Sequence, residues 1–311
     1  MDDTTRRAAR SFPIDLPGAL RLVTSRFGAV RIEGTDQTTI TLEVLARVDL
    51  TTADDCAAAL ESIQVTFDRQ RRRAEVVARA PRAAESSWFR RRRERTPKLD
   101  LRIALPRACD IEIEAIASSV SIADIEGRIQ GQVTGGAFNA HKVAGEVQGR
   151  VMGGSVIAAD CTGPAELQTS GGSIYVWNLA GDLNLRAAGG FAIIERVRGS
   201  VSADVVGGGL RVEEVTGSLA ASAAAGSVLV RLAERPQGDC ALSAQAGNVV
   251  VHLPANLGAD IDAQSHGGQV MADFPEATGT RRRQEASLRI NGGGLPLRLR
   301  SHGGDIYVGC L

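Results

Sequence analysis

Six single glycines recur at one unbroken 18-residue step: Gly127, Gly145, Gly163, Gly181, Gly199 and Gly217. A second mark follows each of the first five as a pair, at Gly135–Gly136, Gly153–Gly154, Gly171–Gly172, Gly189–Gly190 and Gly207–Gly208, and survives in the sixth unit as Ala225–Gly226. The second members, Gly136, Gly154, Gly172, Gly190, Gly208 and Gly226, keep the same step. A chain that turns at the same two places in every short unit must stack those units, because one such unit encloses no core of its own. These twelve glycines are therefore assigned as structural turns, where glycine accepts geometries that strain other residues.

Between the glycines the apolar residues alternate. Ile129, Val147, Ala165, Leu183, Val201 and Leu219 make one column, and Val133, Val151, Thr169, Ala187, Val205 and Ala223 another. After the second mark come Phe138, Val156, Ile174, Ala192, Leu210 and Val228, then Ala140, Ala158, Val176, Ile194, Val212 and Val230. Val143, Cys161, Leu179, Val197 and Val215 close each unit, while Glu166, Tyr175, Trp177, Arg211 and Glu213 fall on outward positions. Period-two alternation means strands with one buried face. The expected fold is all-β: a single-stranded β-solenoid, parallel β-helix-like, with 18-residue coils. At about 4.8 Å per coil, the six regular ones would span about 29 Å.

The pattern runs on irregularly. Ala246–Gly247 and Gly267–Gly268 mark later turns, displaced by insertions around Glu234–Asp239 and Pro254–Ala259. Gly303–Gly304 lies two periods beyond, so Leu295–Leu311 is expected as a final coil. Upstream, Ile111–Gly127 fits the second half of a coil, with Ser118–Ser119 in the glycine places.

The expected organisation is a disordered tail over residues 1–10, a β region over 11–110 that caps the stack, and repeats over 111–311. Within the β region, Ala19–Thr24, Ala29–Glu33 and Thr38–Val48 alternate as strands, Ala53–Ile63 suits a short helix, and Ile63–Asp68 with Ala74–Ala78 suits a hairpin. Leu99–Leu105 is a further strand ended by Pro106, and 81–97 is an exposed arginine-rich loop. A cap is needed because an uncovered coil presents unpaired backbone groups.

Aromatic residues are only 4% of the chain, which suits a thin interior of small and β-branched side chains. The formal net charge of zero argues against a whole-chain nucleic-acid or anionic-membrane binder. Five scattered cysteines without a CxxC pair indicate inert thiols in a reducing compartment. No apolar stretch follows Met1–Arg7, and none anywhere approaches the length of a membrane-spanning helix. Neither a signal peptide nor a membrane span is expected, and the location expected is cytoplasmic.

Three segments carry a family likeness: Phe27–Gly34 (FGAVRIEG), Leu101–Pro106 (LRIALP), and the repeats themselves, of which Ser170–Ile174 (SGGSI) and Ser301–Val308 (SHGGDIYV) are examples. In these, over residues 11–311, the chain resembles the bacterial putative-adhesin family of β-strand-repeat proteins. The resemblance implies a β-solenoid and surface adhesion, and it supplies no catalytic residues.

No catalytic, metal or cofactor site emerges from the residues. His266 and His302 each precede a glycine pair, but two coils apart is roughly 10 Å, too far to share a metal. Trp88 and Phe89 beside Arg90, Arg91, Arg92 and Arg93 could grip single-stranded nucleic acid or anionic lipid, although a charge run is more often a solvated loop; Arg281–Arg283 is a second such run. None of the glycine pairs is followed by Lys-Ser or Lys-Thr, so phosphate loops are excluded. Acidic residues scatter over different columns, unlike the paired carboxylates of a glycosidase. The leading expectation is a non-enzymatic scaffold or binding module, without cofactor, that recognises another macromolecule such as a protein or polysaccharide. Two rivals are homo-association through an uncapped C-terminal coil and a polysaccharide hydrolase or lyase.

Overall fold

The computed structural model describes residues 6–13, 18–46, 61, 63–68, 72–79, 99–274 and 276–311. They form 29 strands and divide into two compact units, Met1–Met152 and Gly153–Leu311. The helix expected over Ala53–Ile63 and the loop bearing Trp88, Phe89 and Arg90–Arg93 fall almost wholly outside the described residues.

The first unit begins with β1 (Arg6–Pro13), β2 (Gly18–Ser25), β3 (Ala29–Thr35) and β4 (Thr39–Ala46). It continues with β5 (Gln64–Asp68), β6 (Arg73–Arg79), β7 (Leu99–Pro106) and β8 (Cys109–Ile116). β9 (Ser119–Glu126), β10 (Ile129–Thr134), β11 (Phe138–Ala144) and β12 (Val147–Met152) complete it. Its two sheets run β1-β4-β7-β3-β9-β11 and β12-β10-β8-β2-β6-β5. β8, β10 and β12 pair in parallel, with Ile111, Ile129 and Val147 in register. The segment from β8 through β9 is thus a whole two-strand unit, not the half expected from the sequence. The period hides its first strand, because the single-glycine marks begin only at Gly127.

The expected strands and hairpin of the N-terminal third are present as β2 to β7. The expected tail is corrected: β1 starts at Arg6 and pairs antiparallel with β4. Chain order and spatial order differ here. β2 lies between β6 and β8, and β3 between β7 and β9, all parallel. Beyond that layer, β4 and β1 extend one sheet and β5 the other, with antiparallel pairing. Arg21 on β2 holds this register from outside through ion pairs to Glu75 and Glu114 at 3.1 Å. The two sheets face each other at Phe138, whose buried ring fills the space a side chain at Gly131 would need.

The second unit opens with β13 (Val156–Thr162), β14 (Ala165–Thr169), β15 (Ile174–Ala180) and β16 (Leu183–Ala187). Next come β17 (Ala192–Val197), β18 (Val201–Val205), β19 (Leu210–Val215) and β20 (Leu219–Ala223). β21 (Val228–Arg231), β22 (Cys240–Ala244), β23 (Val249–Leu253), β24 (Ala259–Ser265) and β25 (Val270–Ala272) follow. β26 (Thr278–Arg281), β27 (Glu285–Ile290), β28 (Leu295–Ser301) and β29 (Ile306–Cys310) end the chain. One sheet runs β13-β15-β17-β19-β21-β23-β29-β25 and the other β14-β16-β18-β20-β22-β28-β24-β27-β26. Parallel register carries Ile174 to Ala192, Leu210 and Val228, and Ala165 to Leu183, Val201 and Leu219. The insertion at Glu234–Asp239 lengthens the next step, so that Leu219 pairs with Cys240.

Every inward column residue named from the sequence is buried, from Ile129 and Phe138 to Leu219 and Val230. Leu167, Leu185, Ala203 and Ala221 form a further buried column that the glycines at Gly131 and Gly149 disguise.

The twelve glycines sit at bends between strands, and most of them are needed there for a reason other than backbone conformation. Among the twelve, only Gly145, Gly163 and Gly190 have φ in the left-handed region. What Gly127, Gly136, Gly172, Gly181, Gly199, Gly208, Gly217 and Gly226 share is crowding. A Cβ on Gly217 would lie 2.5 Å from the Gly199 carbonyl, and one on Gly127 would lie 2.5 Å from the Cys109 carbonyl. Gly208 and Gly226 meet the carbonyls of Gly190 and Gly208 in the same way. Adjacent backbones approach so closely at these corners that no side chain fits between them.

The C-terminal segment also departs from expectation. β28 pairs with β22 on one side and β24 on the other, and β29 lies between β23 and β25. The last segment of the chain is therefore an inner layer. β27 and β26 cover β24 with an antiparallel hairpin. The uncapped C-terminal coil on which homo-association was expected does not exist. Among the described residues no helix is long and apolar enough to cross a membrane.

Candidate functional site

A further corner recurs in six successive repeats, and glycine is missing from it. Asp124, Lys142, Asp160, Asn178, Arg196 and Glu214 stand one repeat apart, all with φ between 51° and 58°. Strand pairing skips them: Trp177 pairs with Ala159 and Glu195, the next residue has no partner in the ladder, and Leu179 resumes with Cys161 and Val197. The backbone bulges at this point and turns the next side chain inward. The sequence carried the signal in its inward columns, which step by two from Ile174 to Val176 and by three from Val176 to Leu179.

In the second unit four of these residues line a groove of about 660 Å³. Asp160, Asn178, Arg196 and Glu214 form one wall, and Thr162, Ala180, Arg198 and Thr216 the other. Ala233 and Glu234, from the insertion, also line it. The Gln237 amide donates to the Thr216 carbonyl at 2.7 Å and pins that insertion beside the groove. Cys161, Leu179, Val197 and Val215 lie between the walls but are at most 3% exposed, so they offer little apolar surface.

The first wall is a hydrogen-bonded ladder. The Asn178 amide nitrogen donates to Asp160 Oδ1 at 2.7 Å, and Arg196 Nε donates to Asn178 Oδ1 at 2.5 Å. Backbone groups along the groove are already used: the amides of Gly163, Arg198 and Thr216 donate to the carbonyls of Ala180, Leu179 and Val197. The groove therefore presents side-chain hydroxyl, amide, carboxylate and guanidinium groups at one-strand intervals.

The residues singled out from the sequence lie elsewhere. The Trp88–Arg93 cluster is outside the described residues. Arg281 is structural, donating from Nη2 to the Phe274 carbonyl at 2.7 Å, and Arg282 pairs with Glu285 at 3.9 Å. His266 and His302 are much closer than expected. Their rings stack at 5.0 Å with an 11° interplanar angle, because β28 inserts directly beside β24. Among the described residues no group of three or more His, Cys, Asp or Glu side chains is placed to hold a metal ion. Burial pushes the Cys109 thiol up to about 12 and that of Cys240 up to about 11, so both remain protonated and unreactive near neutral pH.

No family model and no curated protein matches the chain. It is similar to a solved putative cell adhesion protein from Clostridium sporogenes, at 11% identity and TM-score 0.24, covering 99% of this chain and 100% of that one. A putative adhesin from Bacteroides fragilis is similar at 11% identity and TM-score 0.36, covering 99% of each chain. A putative lipid binding protein from Parabacteroides distasonis is similar at 10% identity and TM-score 0.42, covering 81% of this chain and 96% of that one.

Proposed function

We propose that the protein is a non-catalytic binding module, built as a β-solenoid of 18-residue coils, that holds an extended ligand along the groove of its second unit. The solenoid reading is supported by the parallel register, which advances one repeat at a time through both sheets between Val156 and Val228.

The observation that carries the binding reading is the left-handed column. A non-glycine residue costs roughly 1–2 kcal/mol in that conformation, less for Asn and Asp. The repeat uses glycine freely at its other corners, yet keeps Asp160, Asn178, Arg196 and Glu214 here. Strain retained on successive strands, with all four side chains on one groove wall, points to side chains that are needed for contact.

The test replaces all four by glycine in the full chain. The fold should survive, with an equal or higher Tm, because the strain is relieved. Native protein should be retained on at least one of three immobilised polymers, namely dextran, polygalacturonate and gelatin, and the variant should lose that retention. Retention of native protein on none, or retention unchanged in the variant, rejects the reading. Release of reducing ends from either polysaccharide would reject the non-catalytic part and favour a hydrolase or lyase.

A further inference from the structure

In the second unit, one sheet carries apolar side chains on its outer face, where a solvated strand alternates to polar ones. Parallel register carries one outward row from Tyr175 through Ile193, Arg211, Leu229 and Val250 to Tyr307, and the row ends at Ile157 and Met271. Arg211 interrupts it, and Glu213 in the next row holds that guanidinium at 2.6 Å. Phe191, two residues before Ile193 and 61% exposed, lays its ring over Gly209 and enlarges the patch. Single exposed apolar residues are ordinary. This chain has only two tyrosines and two tryptophans, however, and both tyrosines and Trp177 stand on this one face. The strands from β15 to β29 are paired on both sides, so no foreign strand can join an edge here and a partner has to lie on the face itself.

The next row, two residues further along each strand, carries the charges. Glu195 on β17, Glu213 on β19, Arg231 on β21 and His252 on β23 stand in register, so acid changes over to base between β19 and β21. We infer that this face packs against the same face of a second copy of the chain, about a twofold axis parallel to the strands and lying between β19 and β21. Such an axis reverses strand order and keeps each row over itself, and every contact occurs twice. Glu213 then meets Arg231 of the partner subunit, and Glu195 meets His252 of the partner subunit. In the apolar row Ile193 meets Val250 of the partner subunit, and Tyr175 meets Tyr307 of the partner subunit. Trp177 lies over Gly309 of the partner subunit, which has no side chain to obstruct it. Charges of opposite sign on the two sides of one line are what self-pairing requires, and a foreign partner would not demand them. At about 4.8 Å per strand and about 6.8 Å per outward residue, three rows over β13 to β25 cover about 700 Å². Two copies would bury about 1,400 Å², within the range of a stable dimer.

The experiment sediments the full chain over a concentration series. The native chain should run as one species of twice the chain mass and dissociate only on further dilution. Glu195→Arg sets a guanidinium against His252 of the partner subunit, while within its own chain it stands beside Glu213. His252→Glu sets a carboxylate against Glu195 of the partner subunit, while within its own chain it stands beside Arg231. Each single variant should keep the native circular dichroism and Tm, and its dimer dissociation constant should rise at least about tenfold. The double variant in one chain restores acid against base and should dimerise like the native protein. Ile193→Asp, in the apolar row, should be folded and monomeric.

A native chain that is monomeric throughout the series overturns the inference and leaves the face to a foreign partner. A native dimer that both single variants and Ile193→Asp leave intact places the contact elsewhere and overturns it too. Weakened single variants with no recovery in the double variant overturn the twofold pairing of Glu195 with His252. The groove reading is untouched by any of these results, because its test is retention on polymers.

Discussion

At the residue scale, the inward and outward columns make opposite predictions for substitutions only eight positions apart. Ile174 is fully buried in register with Val156 and Ala192. Ile174→Asp places an unpaired charge there and should destabilise the second unit by about 3–5 kcal/mol, enough to abolish a normal thermal transition. Glu166→Ala removes a half-buried, outward-facing carboxylate that accepts from Gln168 Nε2 at 2.9 Å, and should cost no more than about 1 kcal/mol. Comparable Tm values for the two would refute the assignment of faces. Glycines divide by cause in the same way. Gly208→Ala drives a methyl group into the Gly190 carbonyl, whereas Gly153 faces open space at φ 78° and pays only for its conformation. The first should cost several kcal/mol and the second about 1 kcal/mol, measured by denaturant unfolding. The positions of these residues were legible in the 18-residue step. The reason for most of them was not, because contact between backbones a whole repeat apart leaves no mark beyond the glycine itself.

At the element scale, both units place an out-of-order pair of strands inside the stack, and antiparallel strands close both sheets in the first unit and one sheet in the second. β2–β3 lies within β6–β7, and β28–β29 lies within β24–β25. In the second unit the closing hairpin is fixed by Asp260, which accepts from Arg289 Nε at 2.8 Å and from the Gly294 amide at 3.0 Å. The Arg289 hydrogen bond, followed by that of Gly294, holds the Asp260 carboxyl below its ordinary value of 3.8. A depressed carboxylate contributes above its unfolded pKa and loses that contribution as pH falls through the folded pKa, so these bonds weaken only in strong acid. Replacing Thr278–Ile290 by a short Gly-Ser linker exposes the free edge of β24. The native chain should keep one sedimentation coefficient over a concentration series, and the variant should associate as concentration rises. Equal behaviour would show that the hairpin is not needed as a cap. Sequence spacing put His266 and His302 two coils apart, whereas strand order makes them neighbours. Antiparallel caps and the insertion of a later strand between earlier ones depend on contacts far apart in the chain, which no local period encodes.

At the scale of the whole molecule, each layer is stabilised by the layers on either side, and protection should follow that order. Amide exchange should be slowest in β16, β18 and β20, which are paired on both sides by regular neighbours, and fastest in β25 and β26 at the sheet edges. Uniform exchange across the second unit would contradict layer-by-layer stability. The strands and their buried faces were legible in the order of residues, because alternation and glycine spacing are local and recur along the chain. Two outcomes lay beyond that reach: which strands sit side by side at the ends, and the building of a groove wall from a corner of Asp, Asn, Arg and Glu side chains. Both turn on backbone conformation and strand order, which are settled when separated segments pair across space.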